Sequence, residues 1–522
     1  DGLVDDEDDD VDPFSQLPLY QDLDGDEYGT DVEIGLFCPS LPEGAAVSGD
    51  CDDTDPNIHP HRLDYNDPVD SNCDGTPDVV LAEDMLGGWI GFDNGSFSMF
   101  MASKDVDGDG IHEVLVSAPA AALLDEGRVG YFPGSVGVGD RTQWPDEPLV
   151  RTWTGSAVDG AFGYALNFIG DWNGDGIEDF VVGAPDSHNK TGEVYILSTD
   201  DNSTTVGAAL FTSTFSHTDA YWGYDSVAVG DVTGDGLDDV LVSARRDDRV
   251  GPSQGSVTLI PGGGTEADMV VTNAISSYDQ LGYSMAAAGD MDGDGALDVV
   301  LGAPYADYAT SNGGEIYRVP ASGFADPVIL EEMPMFYGVE EQERAGTALR
   351  GAGDVNGDGY DDVLIGAPSY DHGGLDLEDA GAAYVALGSG TVGDNLALSD
   401  AHWRILGTTL NHDTGRYLGA FGDVSGDGLA DVFVTTHKWD DGDQLEVGRV
   451  YGILGSVDGG TRTVPDEADL IIQGADQYDY LGRGMAAAGD TNGDGLADFW
   501  LGASGAGSTG SLFLMEGAAA SW

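Results

Sequence analysis

The 522-residue sequence predicts an all-β chain: a seven-bladed β-propeller of four-stranded blades over residues 79–522, preceded by a small loop-rich Ca²⁺-binding module over 20–78 and an acidic tether over 1–19. Three observations predict it. An acidic nonapeptide, D-x-[D/N/T/S]-G-D-G-x-x-[D/E], occurs seven times. Successive copies are 59 to 69 residues apart, too regular for chance and too long for a coil of tandem nonapeptides. Finally, the 80 glycines follow no Gly-X-Y period, so they serve tight turns between many short strands.

Each unit repeats one frame. The acidic copies begin at Asp105, Asp171, Asp231, Asp290, Asp354, Asp423 and Asp490. Nine residues earlier stands an aromatic or small residue and then Gly, as in Phe162-Gly163, Trp222-Gly223, Leu281-Gly282, Ala345-Gly346, Thr414-Gly415 and Leu481-Gly482. Twelve residues later comes Gly-Ala-Pro, complete at Gly183, Gly302 and Gly366. The short runs between loop and Gly-Ala-Pro, such as Phe180-Val181-Val182 and Val363-Leu364-Ile365, are β-branched and apolar and predict buried strands. A third strand opens after a Gly, as at Gly192-Glu193-Val194-Tyr195 and Gly448-Arg449-Val450-Tyr451, and a fourth precedes the next aromatic-Gly pair, as at Leu470-Ile471-Ile472. Four strands in seven units make a radial propeller, which suppresses free sheet edges. The last unit ends one strand short after Leu512-Phe513-Leu514-Met515, so the segment around 79–86, with Val79-Val80-Leu81-Ala82, is expected to close the seventh blade as its outer strand. Units one, three and six depart from the pattern, with Ser96-Phe97 for Phe-Gly and with Ser243-Ala244-Arg245 and Thr435-Thr436-His437 for Gly-Ala-Pro; they are still expected to be blades.

The acidic loops predict metal sites. Glycines permit a tight turn that brings side chains at positions one, three and five together, with a carbonyl at seven and a carboxylate at nine. The ligand sets are Asp105, Asp107, Asp109, Ile111, Glu113; Asp171, Asn173, Asp175, Ile177, Asp179; Asp231, Thr233, Asp235, Leu237, Asp239; and Asp290, Asp292, Asp294, Ala296, Asp298. Three more follow: Asp354, Asn356, Asp358, Tyr360, Asp362; Asp423, Ser425, Asp427, Leu429, Asp431; and Asp490, Asn492, Asp494, Leu496, Asp498. Hard oxygen donors without His or Cys favour Ca²⁺ over zinc or copper. Carboxylates this close repel one another without a cation.

With 96 acidic and 18 basic residues the net charge is −78, which excludes a nucleic-acid binder. Seven Ca²⁺ ions would raise it only to about −64. The remaining acidity reads as a solvated surface, with a face for cationic partners as the alternative. No apolar run approaches the roughly eighteen residues of a membrane span and no leader opens the chain, so a soluble mature protein is expected. Cys38, Cys51 and Cys73 all fall in the N-terminal module, as in a disulfide-stapled domain of an oxidising compartment. That module repeats the alternate-acid spacing at Asp22, Asp24, Asp26 with Tyr28, and at Asp70, Asn72, Asp74, Thr76, Asp78, implying two or three further Ca²⁺ sites.

Aromatic-Gly, the D-x-D-x-D-G loop and Gly-Ala-Pro in this period resemble the FG-GAP repeat of the integrin α-subunit propeller and its bacterial relatives, over roughly residues 79–517. The resemblance implies an adhesive role. The order D-x-D-G-D-x-Y-G, G-D-C-D-D-T-D-P, N-C-D-G-x-x-D over residues 20–78 resembles the Asp/Cys metal-binding repeat of secreted bacterial proteins and thrombospondin type 3 repeats. That second resemblance implies a Cys51–Cys73 disulfide; a Cys38–Cys51 pair is the alternative. His59 and His61 lie in a Pro-rich turn and read as surface residues, not copper ligands. No P-loop, H-E-x-x-H or zinc Cys cluster is present, so no enzyme is expected.

The expected function is that of an extracellular or cell-surface, secreted adhesion or assembly protein that binds a protein or glycan on its loop-rich face. The alternatives are a carbohydrate-active enzyme or lectin, and a component of a surface layer or filament. Trp222, Tyr224, Tyr283 and Tyr480 are expected to pack between blades, and the non-recurring Trp144, Tyr337, Trp403 and Trp439 to serve recognition.

Overall fold

Every blade is built on a six-residue second strand: Glu113–Ala118, Asp179–Ala184, Asp239–Ala244, Asp298–Ala303, Asp362–Ala367, Asp431–Thr436 and Asp498–Ala503. Their residues are buried on both faces, Trp500 alone being half-buried, because each blade is sandwiched between two neighbours. This explains the β-branched apolar runs. The computed structural model describes residues 96–120, 126–132, 134, 151–200, 206–249, 251–264, 276–320, 323–324, 328–371, 379–389, 395–441, 444–506 and 510–517, with the backbone of strand segments 18–21, 28–29, 33–36, 44–45, 47–48, 79–81, 88–90, 142–143 and 269–273.

The chain divides into two compact units, residues 1–84 with 521–522, and residues 85–520. In the first, Pro18–Gln21 lies between Glu33–Leu36 and Gly44–Ala45, and Tyr28–Gly29 pairs in parallel with Val47–Ser48. The proposed ligands there, the Cys51–Cys73 pair, Cys38, His59 and His61 lie outside the described residues, apart from the Tyr28 backbone.

The second unit is all-β with seven blades in a ring. The first strands, Met101–Lys104, Leu166–Gly170, Trp222–Gly230, Met285–Gly289, Ala348–Gly353, Leu418–Gly422 and Leu481–Gly489, pack one against the next and the last against the first. From each, the sheet runs outward through antiparallel second, third and fourth strands. Apolar side chains from adjoining blades form the core, as where Trp172, Ile196 and Phe211 of blade two meet Trp222, Val240 and Val242 of blade three. Burying each such side chain contributes about 1.5–3 kcal/mol.

Ring closure differs from expectation. The outer strand of blade seven is Gly88–Ile90, pairing Leu512 with Trp89 on Ser511–Met515, not the 79–86 segment. Its phase is the reason: Ile90 precedes Phe97 by seven residues, as Gly407 of blade five's outer strand precedes Thr414. Val79–Leu81, the more apolar run, is a strand whose residues fall in the N-terminal unit. Three outer edges gain a fifth, parallel strand from the next blade: Thr142–Gln143 on Gly88–Ile90, Leu396–Ala397 on Met335–Tyr337, and Gly460–Val464 on Trp403–Gly407. These cover edges that would otherwise template foreign pairing.

Blade one also corrects the sequence reading. Phe97, fully buried, fills the aromatic position, and Ser98, at φ 65°, takes the place of Gly. The motif is displaced because the first strand of blade one lacks the bulge that the others carry before the acidic loop, as between Phe168 and Gly170. Units three and six form complete blades despite their altered ends.

The two glycine motifs meet across blades. A Cβ on Gly366 of blade five would lie 2.1 Å from the carbonyl oxygen of Gly415 in blade six, and one on Gly183 2.0 Å from that of Gly223. Gly366→Ala is therefore expected to destabilise the propeller by about 2 kcal/mol through overpacking. Urea denaturation checks this; unchanged stability would mean that the blades do not approach so closely.

Candidate metal centre

In all seven acidic loops the position-one Asp organises the turn. Its Oδ1 accepts the N–H of the position-four Gly at 2.6–2.7 Å and its Oδ2 that of the position-six Gly at 2.8–3.0 Å. Both glycines adopt positive φ, +80° at Gly108 and +92° at Gly110, which a side chain would oppose. The position-five carboxylate accepts the N–H of position seven, from Ile111 to Leu496, at 2.8–3.1 Å. These bonds turn positions one, three and five toward one point. Carboxylate oxygens of Asp105, Asp107 and Asp109 lie within 4.8 Å of one another, as do those of Asp290, Asp292 and Asp294. Asn173, Thr233, Asn356, Ser425 and Asn492 bring neutral oxygens to position three in the other five loops.

Position nine is a latch. Asp179, Asp239, Asp298, Asp362, Asp431 and Asp498 are buried at the head of the second strand, and their Oδ2 accepts N–H groups from the start of the loop, as from Trp172 at 3.1 Å and Val355 at 3.0 Å. The Oδ1 of Asp239, Asp362, Asp431 and Asp498 accepts a glycine N–H just beyond the third strand, from Gly262, Gly388, Gly455 and Gly517, each at 2.8 Å. Glu113 does the same with Val106 and Gly134. Burial first, then Asp175, pushes Asp179 up to about 7, and burial pushes Asp362 up to about 7 and Asp431 up to about 6. A cation in the loop would relieve that cost, so the donor set fits a hard divalent ion.

Neighbouring loops are tied to one another. Asp238, Asp361, Ala430 and Ala497 donate backbone N–H groups to the carbonyls of Asp171, Asp290, Asp354 and Asp423 in the preceding loop, at 3.0–3.3 Å. Asp490 donates to Gly110 at 3.1 Å, linking loop seven to loop one. The Asp238 and Asp361 carboxylates also cap the Asp171 and Asp290 N–H groups, at 2.9 and 2.8 Å. Lys104 of blade one bonds both Glu178 oxygens of loop two. Loop four alone among the described ion pairs has a cation on its predicted ligands: Arg318, from the third strand, meets Asp292 at 2.7 Å and Asp298 at 3.2 Å.

The other end of the ring carries the aromatic-Gly and Gly-Ala-Pro segments. Trp222 is buried between blades as expected, and Tyr224 packs across blades against Tyr164 at 4.8 Å and Tyr283 at 5.3 Å where these rings also line the axial channel. Trp403, expected to serve recognition, is instead fully buried in the outer strand of blade five, its Nε1–H donating to the Asp458 carbonyl. Tyr337 packs against the core between blades three and four, and Trp439 lies under Arg449 at 4.1 Å; Trp144 is outside the described residues. Asp279 is buried at this end, where its Oδ2 accepts the Ser276 N–H at 2.9 Å. Burial, with Glu315 and Asp307 nearby, pushes it up to about 7.

The FG-GAP repeat family matches residues 281–317 and 345–386, and the FG-GAP-like repeat family residues 171–242. The chain is an FG-GAP-repeat, integrin-α-like β-propeller. It is similar to integrin alpha-5 of Xenopus laevis, 29% identical over 258 residues, covering 48% of this chain and 23% of that protein. It is similar also to integrin alpha-V of Gallus gallus, 30% identical over 246 residues, 44% of this chain and 22% of that protein. The chain thus spans under a quarter of the length of these relatives. The structure of the Dos1 propeller aligns at TM-score 0.42 and 10% identity over 83% of this chain and 96% of that one. Among the described residues no helix is long and apolar enough to cross a membrane.

Two outcomes are expected. Arg318→Met should destabilise the chelated protein by about 3 kcal/mol, because it strands two carboxylates; calorimetry with and without Ca²⁺ should show the loss shrinking when the ion is present. Asp279 has its folded pKa raised, so the stability it contributes is full below the ordinary carboxylate range and lost as pH rises through about 7. Asp279→Asn should therefore gain about 1 kcal/mol or more at pH 8 and nothing at pH 4, as read from paired urea titrations.

Proposed function

We propose that this chain is a non-enzymatic, extracellular or cell-surface protein that acts in adhesion or assembly by binding a protein on its loop-rich face, with Ca²⁺ holding the ring together. The observation that carries the reading is the sevenfold recurrence of one oxygen-donor loop with its position-one Asp hydrogen-bonded alike in every copy. The similarity to integrin α-subunits supports the adhesive part.

In each loop positions one, three and five, the position-seven carbonyl and the position-nine carboxylate would hold the ion. Bound Ca²⁺ would supply positive charge where carboxylates crowd. The chain's own contribution is to orient the donors through glycine N–H groups and to tie each loop to its neighbour. Ions at these loops therefore stabilise contacts between blades as well as within them. Ca²⁺ is expected to occupy seven propeller sites and two or three in the N-terminal module. Millimolar extracellular Ca²⁺ fills even sites with Kd of roughly 10⁻⁴ to 10⁻³ M.

Melting curves in 2 mM CaCl₂ and in EGTA test the metal part. Each filled site should contribute about 1 kcal/mol, giving a large summed rise in Tm. Asp358→Ala, in loop five, should remove one ion from the stoichiometry. Equal Tm values in the two buffers would contradict the reading. For the binding part, the immobilised chain should retain extracellular protein in Ca²⁺ and release it in EGTA; retention of glycans alone would favour a lectin.

A further inference from the structure

The mouth of the axial channel is cationic in a chain whose acids outnumber its bases by more than five to one. The residue after the motif glycine is Tyr164, Tyr224 and Tyr283 in blades two to four, and Arg416 and Arg483 in blades six and seven. All five line a channel of about 600 Å³, with Arg350 further along the first strand of blade five. Arg245 stands where complete motifs have Pro, over the rings of Tyr224 at 4.2 Å and Tyr283 at 5.3 Å.

The described hydrogen bonds of these arginines go to neutral groups, although Asp225 acts on Arg350 and Asp186 on Arg245 through their charge. Arg245 donates to Gln280 at 2.9 Å, Arg350 to the Leu349 carbonyl at 2.9 Å, and Arg416 to the Tyr283 hydroxyl at 3.4 Å, while Arg483 lies over Tyr480 at 3.9 Å. The Nε atoms of Arg245 and Arg483 are buried without an acceptor. None of the four forms an ion pair with a described carboxylate, although Arg249, Arg318, Lys438 and Arg462 do so elsewhere. Two carboxylates face the region. Asp225 accepts the N–H groups of Met285 and Ser226 inside the channel, and Asp186 stands near Lys190 and Arg245. Burial first, then the charges of Arg483, Lys438 and Arg416, pushes the His437 imidazole down to about 2.

We propose that the channel mouth binds a single carboxylate side chain presented by a protein partner. Arg416 and Arg483 supply guanidinium forks that match a carboxylate in geometry. The Tyr283 hydroxyl, which accepts from Arg416, keeps its own proton to donate to one of the carboxylate oxygens. A polyanion is disfavoured because the chain as a whole carries a net charge of −78, whereas one acidic side chain meets the clustered arginines alone. The assignment of a protein source rests on the proposed function; the carboxylate chemistry rests on the four arginines.

The test is a ligand-observed NMR titration of the full chain in Ca²⁺. The probes are acetyl-Gly-Glu-Gly-amide, its Gln counterpart and inorganic phosphate. The Glu peptide is expected to bind at least tenfold more tightly than the Gln peptide and to resist competition by equimolar phosphate. The Arg416→Gln/Arg483→Gln double variant should lose at least tenfold, with its Tm and calcium titration unchanged. Equal binding of the two peptides, absence of binding, displacement by equimolar phosphate, or wild-type affinity in the double variant would overturn the proposal. The wild-type comparison decides even if the double variant does not fold. Since neither calcium-linked melting nor partner capture enters this readout, failure of the proposed function and failure of the carboxylate site are separately visible.

Discussion

Crowded carboxylates are the constraint on which the ring depends. Two like charges about 4 Å apart repel by about 1 kcal/mol in water and about 4 kcal/mol near a protein surface. Each loop carries oxygen-bearing side chains at positions one, three and five beside a buried carboxylate at nine, and in loops one and four three carboxylates lie within 4.8 Å of one another. The backbone offsets part of the repulsion by donating glycine N–H groups to position one and further N–H groups to position nine. Loop four offsets more with Arg318. Among the described ion pairs the predicted ligands of the other loops meet no cation, and the proposed Ca²⁺ would neutralise them. Because position-one carbonyls accept N–H groups from the next loop, whatever steadies one loop steadies a junction between blades.

The same repeat also separates the two ends of the ring. Each first strand runs from the motif glycine to the acidic loop, and each second strand returns to Gly-Ala-Pro. Acidic loops therefore gather at one end, and glycine motifs at the other. At the glycine end the blades must approach closely, so Gly366 and Gly183 tolerate no side chain. The residue just after the motif glycine points to the axis instead and is free to vary. Tyrosines and arginines accumulate there without disturbing the sheets.

Blade number, strand order and the acidic loops were legible because they recur: buried second strands and glycine-rich turns have local signatures that seven copies reinforce. Features outside the recurrence were not. Ser96-Phe97 misled by a single residue because a missing bulge shortens blade one ahead of Asp105. The 79–86 segment was the strand candidate standing just before the first unit, whereas the seven-residue distance to Phe97 selects Gly88–Ile90. Trp403 appeared free as a non-recurring aromatic, yet a strand from the next blade covers it. Arg245, Arg350, Arg416 and Arg483 are 66 to 105 residues from one another in sequence order, and only ring closure makes them neighbours. The acids at position eight, Asp238 and Asp361, belong to no invariant position of the motif, so the ties they make between loops were not legible.

The most direct test of the account is a high-resolution density map of the protein grown in Ca²⁺. The account requires an ion in each of the seven acidic loops, 2.3–2.6 Å from oxygens at positions one, three and five. Loops that instead hold only water in saturating Ca²⁺, with the ring intact, would contradict it.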